Sequence, residues 1–254
     1  LLANERYSRI AERFQDQEQR LDSLRRFFAN SAGVSEREFH GYAEALLRRT
    51  QAFAWVPRVL RDERSSFEQQ ARTEGGDTFS IREPDDSGGL RLAAERDEYV
   101  PVLYLQNQPS FKAPRGLDLL AHPLRRATLE RARHRETIVV SQPLDLAGEA
   151  ATATRGVLLV APVSKAWSKE PFGYVVAAVS MRQLVGDGLP APGQDNLSMR
   201  VMDLSTDDRE EVLFESLDPP GESDLSATRL LRLADRDYRI ELRPSHMFLS
   251  TNLS

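Results

Sequence analysis

The clearest pattern of apolar and polar positions lies in the first 28 residues. Side chains that are mostly apolar recur there at alternating intervals of three and four residues, with charged side chains between them. The repeating positions are Tyr7, Ile10, Phe14, Gln17, Leu21, Leu24 and Phe28. This spacing predicts a long N-terminal helix with a coiled-coil seam, in which the polar Gln17 can set the register.

Two interpretations of this helix stay open at the level of the sequence. In the first, the helix is a dimerisation stalk, and the seven seam residues form the interface between two chains. In the second, it is an amphipathic helix that packs on its own domain. The two can hold along different parts of the helix.

A second helix is indicated by a capping box made of Ser35 and Glu38. We expect this helix to run to about residue 49. The segment 55–58 contains a proline and predicts a turn, after which residues 59–71 resume helical spacing.

From residue 78 onwards, the pattern is that of β-strands. Segments rich in Val, Leu, Ile and Tyr alternate with connections that contain Gly, Pro or Lys. The predicted strands are 79–81, 99–105, 137–141, 156–163, 173–180, 199–204, 211–216, 227–234 and 238–243. A helix is predicted over 123–134, because Pro123 suits a first helical turn.

These elements predict the α+β class, with an antiparallel sheet that carries helices on one side and a second sheet after it. We expect a helical stalk and second helix in residues 1–50, a first lobe in 51–182 and a second lobe in 183–254.

Composition and charge narrow the class of protein. The chain has 254 residues and a formal net charge of −5, and its 34 basic residues are scattered among 39 acidic ones, so no nucleic-acid partner is expected. There are no cysteines to form disulfides or metal sites. No apolar run approaches the roughly 20 residues of a membrane span, and the chain does not begin with methionine. We therefore expect a fragment of a longer protein.

Motifs for catalysis or metal binding are not found in the sequence. The four histidines stand far apart, without partners at metal-ligand spacing. No G-x-S-x-G, Walker, G-x-G-x-x-G or HExxH pattern occurs. We expect no metal, no cofactor and no enzymatic activity in this chain, which favours a binding module.

Several segments carry a resemblance to a known family. The most specific are Phe53-Ala54-Trp55-Val56-Pro57-Arg58-Val59 and, shortly after it, Glu63-Arg64-Ser65-Ser66-Phe67-Glu68. Others are Tyr99-Val100-Pro101-Val102, Gly116-Leu117-Asp118-Leu119, Arg125-Arg126-Ala127 to Arg131-Ala132-Arg133, Ala161-Pro162-Val163 and Gly173-Tyr174-Val175-Val176. Over residues 50–185 the chain resembles the CHASE family, the extracellular sensory domains of histidine kinases and nucleotide cyclases.

This resemblance implies a long helix followed by two PAS-like lobes, of which the membrane-distal one holds a small ligand. The expected function is that of the periplasmic sensing domain of a bacterial receptor anchored in the inner membrane. It would act as a homodimer through its N-terminal helix and control a diguanylate cyclase or a histidine kinase outside this chain. Arg58 is expected to be part of the scaffold, close to Glu63 or Glu68.

The resemblance also implies a position for the ligand. In the plant cytokinin receptors of this family, a carboxylate on the helix after the Gly-Leu-Asp-Leu-like segment pairs with the ligand, and Arg125 takes that place here. We therefore expect an anionic small molecule, such as a carboxylate or phosphate compound. The alternative is that Arg125 points to solvent. A hydrogen-bond donor and apolar walls are expected at Ser141, Val102, Tyr104, Leu129 and Leu158, although each wall residue could equally belong to the core.

Two functions of other classes stay open. One is a structural dimerisation module whose lobes hold no ligand. The other is an α+β hydrolase with a site that the sequence does not reveal, since catalytic residues converge in space rather than along the chain.

Overall fold

Helices lead into two antiparallel sheets, as the sequence predicts for the α+β class. The computed structural model describes residues 2–75, 78–109, 111, 113–146, 154–204 and 211–252. The helices are α1 (Leu2–Asn30), α2 (Glu36–Leu46), α3 (Arg64–Gly75), α4 (Pro123–Arg135), α5 (Met181–Gly186) and α6 (His246–Asn252). The strands are β1 (Ala52–Pro57), β2 (Val59–Leu60), β3 (Arg82–Pro84), β4 (Leu90–Leu92), β5 (Glu98–Tyr99), β6 (Tyr104–Asn107), β7 (Val139–Val140), β8 (Leu144–Leu146), β9 (Thr154–Val163), β10 (Gly173–Ser180), β11 (Leu197–Asp203), β12 (Glu211–Glu215), β13 (Ala227–Leu233) and β14 (Arg236–Pro244).

The two larger sheets follow one another along the chain, and β2 with β5 and β3 with β4 form two-stranded sheets. The first has the strand order β6-β1-β10-β9-β7, with β8 also beside β9, and the second has the order β12-β11-β14-β13. The pairings between these strands are antiparallel. The α+β class and the long N-terminal helix are thus confirmed.

Local signals placed two further helices correctly. Ser35 caps α2, because its side chain accepts a hydrogen bond from the backbone N–H of Glu38 and the Glu38 carboxylate accepts one from the backbone N–H of Ser35. Pro123 is the first residue of α4, where its missing N–H leaves no helical hydrogen bond unmade.

The segment predicted as a turn is a central strand, so that prediction is wrong. β1 lies between β6 and β10, and residues 52–56 are buried. Pro57 is the last residue of β1, a position at which a strand tolerates proline. The helix predicted over 59–71 begins later and ends later, at Arg64–Gly75, because β2 and a 3-10 turn at Arg61–Glu63 precede α3.

Both faces of the first sheet are covered, so the expectation of helices on one side is also wrong. All eight residues of β10 are buried. α1 contacts β9 and β10, and α2 contacts β6, whereas α4 contacts β9 from the other face.

The seam of α1 faces the chain's own sheets. Its seven residues are at most 4% exposed and, apart from the polar Gln17, belong to one hydrophobic core that includes residues of both sheets. The chain thus covers Tyr7, Ile10, Phe14, Gln17, Leu21, Leu24 and Phe28 without a helix from a second chain. The prediction that they form a dimer interface is therefore corrected to the intramolecular alternative, because the apolar sheet faces need this cover. Dimerisation itself stays a prediction.

Polar contacts join α1 to the second sheet. Arg6 makes an ion pair with Asp195, at 2.8 Å from Nη1 to Oδ2, and the Tyr7 hydroxyl donates to the backbone carbonyl of Ala227 at 2.5 Å. One helix therefore supports both sheets.

A buried polar pair lies in the middle of α1. The Thr50 hydroxyl donates to Oε1 of Gln17 at 2.7 Å, and both residues are buried. Among the described residues, Nε2 of Gln17 has no hydrogen-bond partner. The pair lies beside the start of β1.

Candidate ligand-binding site

A small cavity lies in the first lobe, on the sheet face that points away from α1. Its volume is about 60 Å³. The described residues that line it are eleven apolar ones and one arginine, namely Ala52, Ala54, Val102, Leu105, Phe111, Ala113, Leu117, Leu119, Leu158, Val176, Ala178 and Arg125. The cavity is therefore apolar apart from one guanidinium group.

Small side chains on the sheet leave the space for this cavity. Successive residues of a strand point to opposite faces. On β1, Phe53 and Trp55 pack in the core on the side of α1, whereas Ala52 and Ala54 line the cavity. Ala178 does the same on the neighbouring β10, so three alanines form part of the cavity floor.

Arg125 lies in the first turn of α4, and the residue is half-buried. Burial lowers the pKa of the Arg125 guanidinium from its ordinary value. The group keeps its charge, because the ordinary pKa of arginine is so high. Arg125 also lines the cavity, which favours the interpretation in which it faces a ligand, and that interpretation stays a prediction.

Arg125 differs from the other arginines of its helix. Arg126 donates two hydrogen bonds to the carbonyl of Leu120, and Arg131, Arg133 and Arg135 form ion pairs with carboxylates. Within the described part of the chain, no hydrogen bond or ion pair of Arg125 is found. Its charge is thus available to a ligand.

Asp118 holds the segment that forms one wall of the cavity. Its buried carboxylate accepts hydrogen bonds from the backbone N–H groups of Val100 and Leu120, at 2.9 and 3.1 Å, and from Arg96 at 2.8 Å. Both chain neighbours of Asp118 are leucines that line the cavity. The aspartate therefore positions the wall without contacting the cavity itself, a role that the sequence reading missed. The position of Asp118 between two leucines in an apolar segment indicates a buried carboxylate, and the sequence shows this position.

Gly116 allows the segment with Leu117 and Leu119 to pass close to the backbone of Ser80. Its φ is +87°, and a Cβ at this position would lie 2.3 Å from the backbone carbonyl oxygen of Ser80. A residue with a side chain would meet both backbone strain and a clash.

The structure brings some of the predicted ligand residues together and separates others. Arg125, Val102 and Leu158 line the cavity. Leu129 is buried in the surrounding core and is not part of the lining. Tyr104 lies on the opposite sheet face, where its ring contacts Phe39, so its assignment as a wall is corrected.

Strand alternation explains the misplacement of Tyr104. The next residue of β6, Leu105, is the one that lines the cavity. Tyr104 instead borders an open groove of about 1030 Å³ beside α2 and α3. The rim of this groove includes exposed polar residues such as Arg37, Gln70 and Glu74, as is usual for a surface cleft between helices.

Ser141 is fully engaged by the backbone around it. Its hydroxyl accepts a hydrogen bond from the N–H of Leu158 at 2.9 Å and donates to the carbonyl of Gln142 at 2.7 Å. The residue is buried and is not among those that line the cavity. The predicted hydrogen bond from Ser141 to a ligand is corrected accordingly.

Arg58 belongs to the scaffold but has other partners than expected. Its Nε lies 2.5 Å from the carboxylate of Glu98, and its Nη1 lies 3.4 Å from that of Glu170. Glu63 and Glu68 instead accept hydrogen bonds from other groups. The pairing joins the end of β1 to β5.

Within the described ranges, no helix combines the length and apolar character that a bilayer span requires. No group of three or more His, Asp or Glu side chains in the same ranges is placed to hold a metal ion.

Comparison with known proteins gives one family and one fold. A family model described as the CHASE domain matches residues 32–214. A search of curated proteins found no sequence match.

Among solved structures, two similar ones are receptor domains. The ligand-binding domain of the Pseudomonas aeruginosa amino-acid chemoreceptor PctC, in complex with GABA, has a TM-score of 0.51 and 10% identity, covering 95% of this chain and 96% of that one. An extracellular ligand-binding receptor from Desulfohalobium retbaense has a TM-score of 0.50 and 11% identity. That match covers 94% of this chain, which spans 38% of the receptor chain. At such identities the likeness shows a shared fold.

Proposed function

The chain belongs to the CHASE domain family and is an extracellular ligand-sensing domain, and from this premise we propose that it senses a small anionic molecule in the cavity around Arg125. The domain is the periplasmic part of a bacterial receptor anchored in the inner membrane. Its output domain, a diguanylate cyclase or a histidine kinase, lies outside this chain.

The observation that carries this proposal is the half-buried charge of Arg125 at an apolar cavity, for which the described residues supply no hydrogen-bond or ion-pair partner. An uncompensated charge away from water is costly, and proteins normally pair it. A ligand carboxylate would supply the missing partner and form a charge-assisted hydrogen bond. Binding energy is thus concentrated on one group of the ligand.

The position of the cavity suggests how binding reaches α1. Ala52 and Ala54 line the cavity from β1, and Trp55 of the same strand stacks on Phe28 of α1 with ring centroids 4.1 Å apart. A ligand that favours one position of this strand would also favour one position of the helix. We propose that α1 carries this change towards the membrane.

Dimerisation remains part of the proposal, with a different surface. The seam is covered, so a homodimer through α1 would have to use its exposed face, which carries Glu12, Gln15 and Gln19. Analytical ultracentrifugation of the domain would show a dimer that weakens when Gln15 and Gln19 are replaced by glutamate. A species that stays monomeric at high concentration would contradict this part of the proposal.

The central experiment compares the domain with its Arg125→Gln variant in a thermal-shift screen of anionic metabolites. A ligand at a hundred times its dissociation constant should stabilise the domain by about 2.7 kcal/mol. We expect stabilising compounds to be anions and their effect to be lost in Arg125→Gln. Without ligand, the variant should be at least as stable as the wild type, because it lacks a desolvated charge.

Arg135→Gln is the matched control. It makes the same change of charge at the other end of α4, where Arg135 is exposed and paired with Asp235. It should respond to ligands as the wild type does. Equal responses of Arg125→Gln and Arg135→Gln would overturn the proposal.

A further inference from the structure

We infer that the ligand is a short, unbranched aliphatic monocarboxylate of about two to four carbons. This inference rests on the proposed function and makes it specific, because it uses the same cavity and the same arginine. Three features of the cavity carry it: its size, its single charge and its alanine floor.

The volume of the cavity fits a group of a few atoms. A single water needs roughly 10–15 Å³ of cavity volume. The cavity of about 60 Å³ therefore holds on the order of four to six non-hydrogen atoms. Acetate has four such atoms, propionate five and butyrate six.

The charge of the cavity selects one carboxylate and no second polar group. Arg125 is the sole charged side chain among the described residues that line the cavity, and the other eleven are apolar. The ammonium group of an amino acid would find no side-chain acceptor there, and the second carboxylate of a diacid would find no second cation. A polar group that loses water without a partner lowers affinity. An alkyl chain suits the same walls.

The alanine floor sets the depth available to the alkyl chain. Ala54 and Ala178 face the cavity from neighbouring strands, and Val176, the cross-strand partner of Ala54, lies on the same face. Replacing Ala178 with valine adds two methyl groups to the floor while leaving Arg125 in place. The longest acid should then lose affinity first.

The test is isothermal titration of the 254-residue domain with acetate, propionate, butyrate, γ-aminobutyrate, succinate, phosphate and propionamide, at equal ionic strength. Butyrate and γ-aminobutyrate differ by one ammonium group, and propionate and propionamide differ by the charge that would meet Arg125. Each polar mismatch should weaken binding by roughly 10- to 150-fold, the equivalent of one charged hydrogen bond. Arg125→Gln should weaken the binding of propionate by a similar factor, whereas Arg135→Gln should leave it unchanged.

Ala178→Val separates a shape-selective cavity from unspecific attraction to arginine. Butyrate should lose at least about tenfold more affinity than acetate in this variant, because added methylenes in a filled cavity meet steric resistance. If the two acids lost affinity equally, the placement of the ligand's alkyl chain in this cavity would be overturned.

The remaining outcomes distinguish a wrong ligand class from a wrong proposed function. Arg125-dependent binding of γ-aminobutyrate, succinate or phosphate in preference to the monocarboxylates would overturn this inference and leave the proposed function standing. Monocarboxylate binding that is unchanged in Arg125→Gln would overturn both. Binding of propionamide as tightly as propionate would also overturn both, because no anion would then be recognised.

Discussion

The buried pair of Gln17 and Thr50 offers a sharp test of how α1 is held. Gln17 has an unpartnered Nε2 within the described residues, while its Oε1 accepts the Thr50 hydroxyl at 2.7 Å. Gln17 is 1% exposed and Thr50 is 0% exposed, so no water compensates for a broken bond. The pair is therefore suited to a double-mutant cycle.

Each variant of the cycle has its own expected free energy of unfolding. Thr50→Val should destabilise by about 1–3 kcal/mol, because both ends of the Gln17 amide then lack partners. Gln17→Leu removes the unpartnered Nε2 but leaves the Thr50 hydroxyl unpaired, so it should lie close to the wild type. The double variant replaces both groups by apolar ones and should be at least as stable as the wild type.

Urea unfolding followed by circular dichroism measures these differences. The coupling energy should be about 0.5–3 kcal/mol, as for residues in direct contact. Gln69→Leu is the matched control, since Gln69 is exposed on α3, and it should change stability by less than about 0.5 kcal/mol. Additive effects, or a double variant less stable than Thr50→Val, would refute the reasoning.

Three further predictions concern the scaffold. Trp55→Ala should destabilise by about 3–5 kcal/mol in thermal unfolding, because it empties the stacked core between β1 and α1. Gly116→Ala should destabilise by more than about 1 kcal/mol in the same assay, because φ is +87° and the carbonyl of Ser80 is too close. Burial raises the pKa of Glu83, but hydrogen bonds led by that from Arg96 outweigh it and hold the pKa below its ordinary 4.5. The stabilisation from Glu83 is thus present above pH 4.5 and is lost as the pH falls through the lower pKa of the folded state. In Glu83→Gln, the free energy of unfolding should therefore depend less on pH below pH 4.5.

Elements with strong local signals were predictable from the sequence. The three-four spacing of α1, the capping box at Ser35 and the proline at the start of α4 each depend on residues within a few turns. β1 was missed because its apolar residues continue without alternation up to a proline. Such a run indicates a strand only when both sheet faces are known to be covered.

The cavity could be predicted only in part, for a similar reason. The resemblance to a family led to Arg125, and Val102 and Leu158, two of the residues expected as apolar walls, also line the cavity. Their contact with a ligand stays a prediction. Tyr104 was placed on the wrong face, because the register of β6 against β1 is set by pairing between distant segments. The empty space itself depends on alanines from two strands that lie more than a hundred residues apart in the chain.

The shared core along α1 has a consequence for how this domain can change in evolution. A helix of 29 residues is roughly 43 Å long at 1.5 Å per residue, and both sheets rest on it. Neither sheet can be inherited or exchanged alone, because the recipient helix must also match the new apolar surface. Recombination between relatives should therefore succeed when the helix travels with both sheets, and lobe-by-lobe chimeras should need compensating changes along its buried stripe.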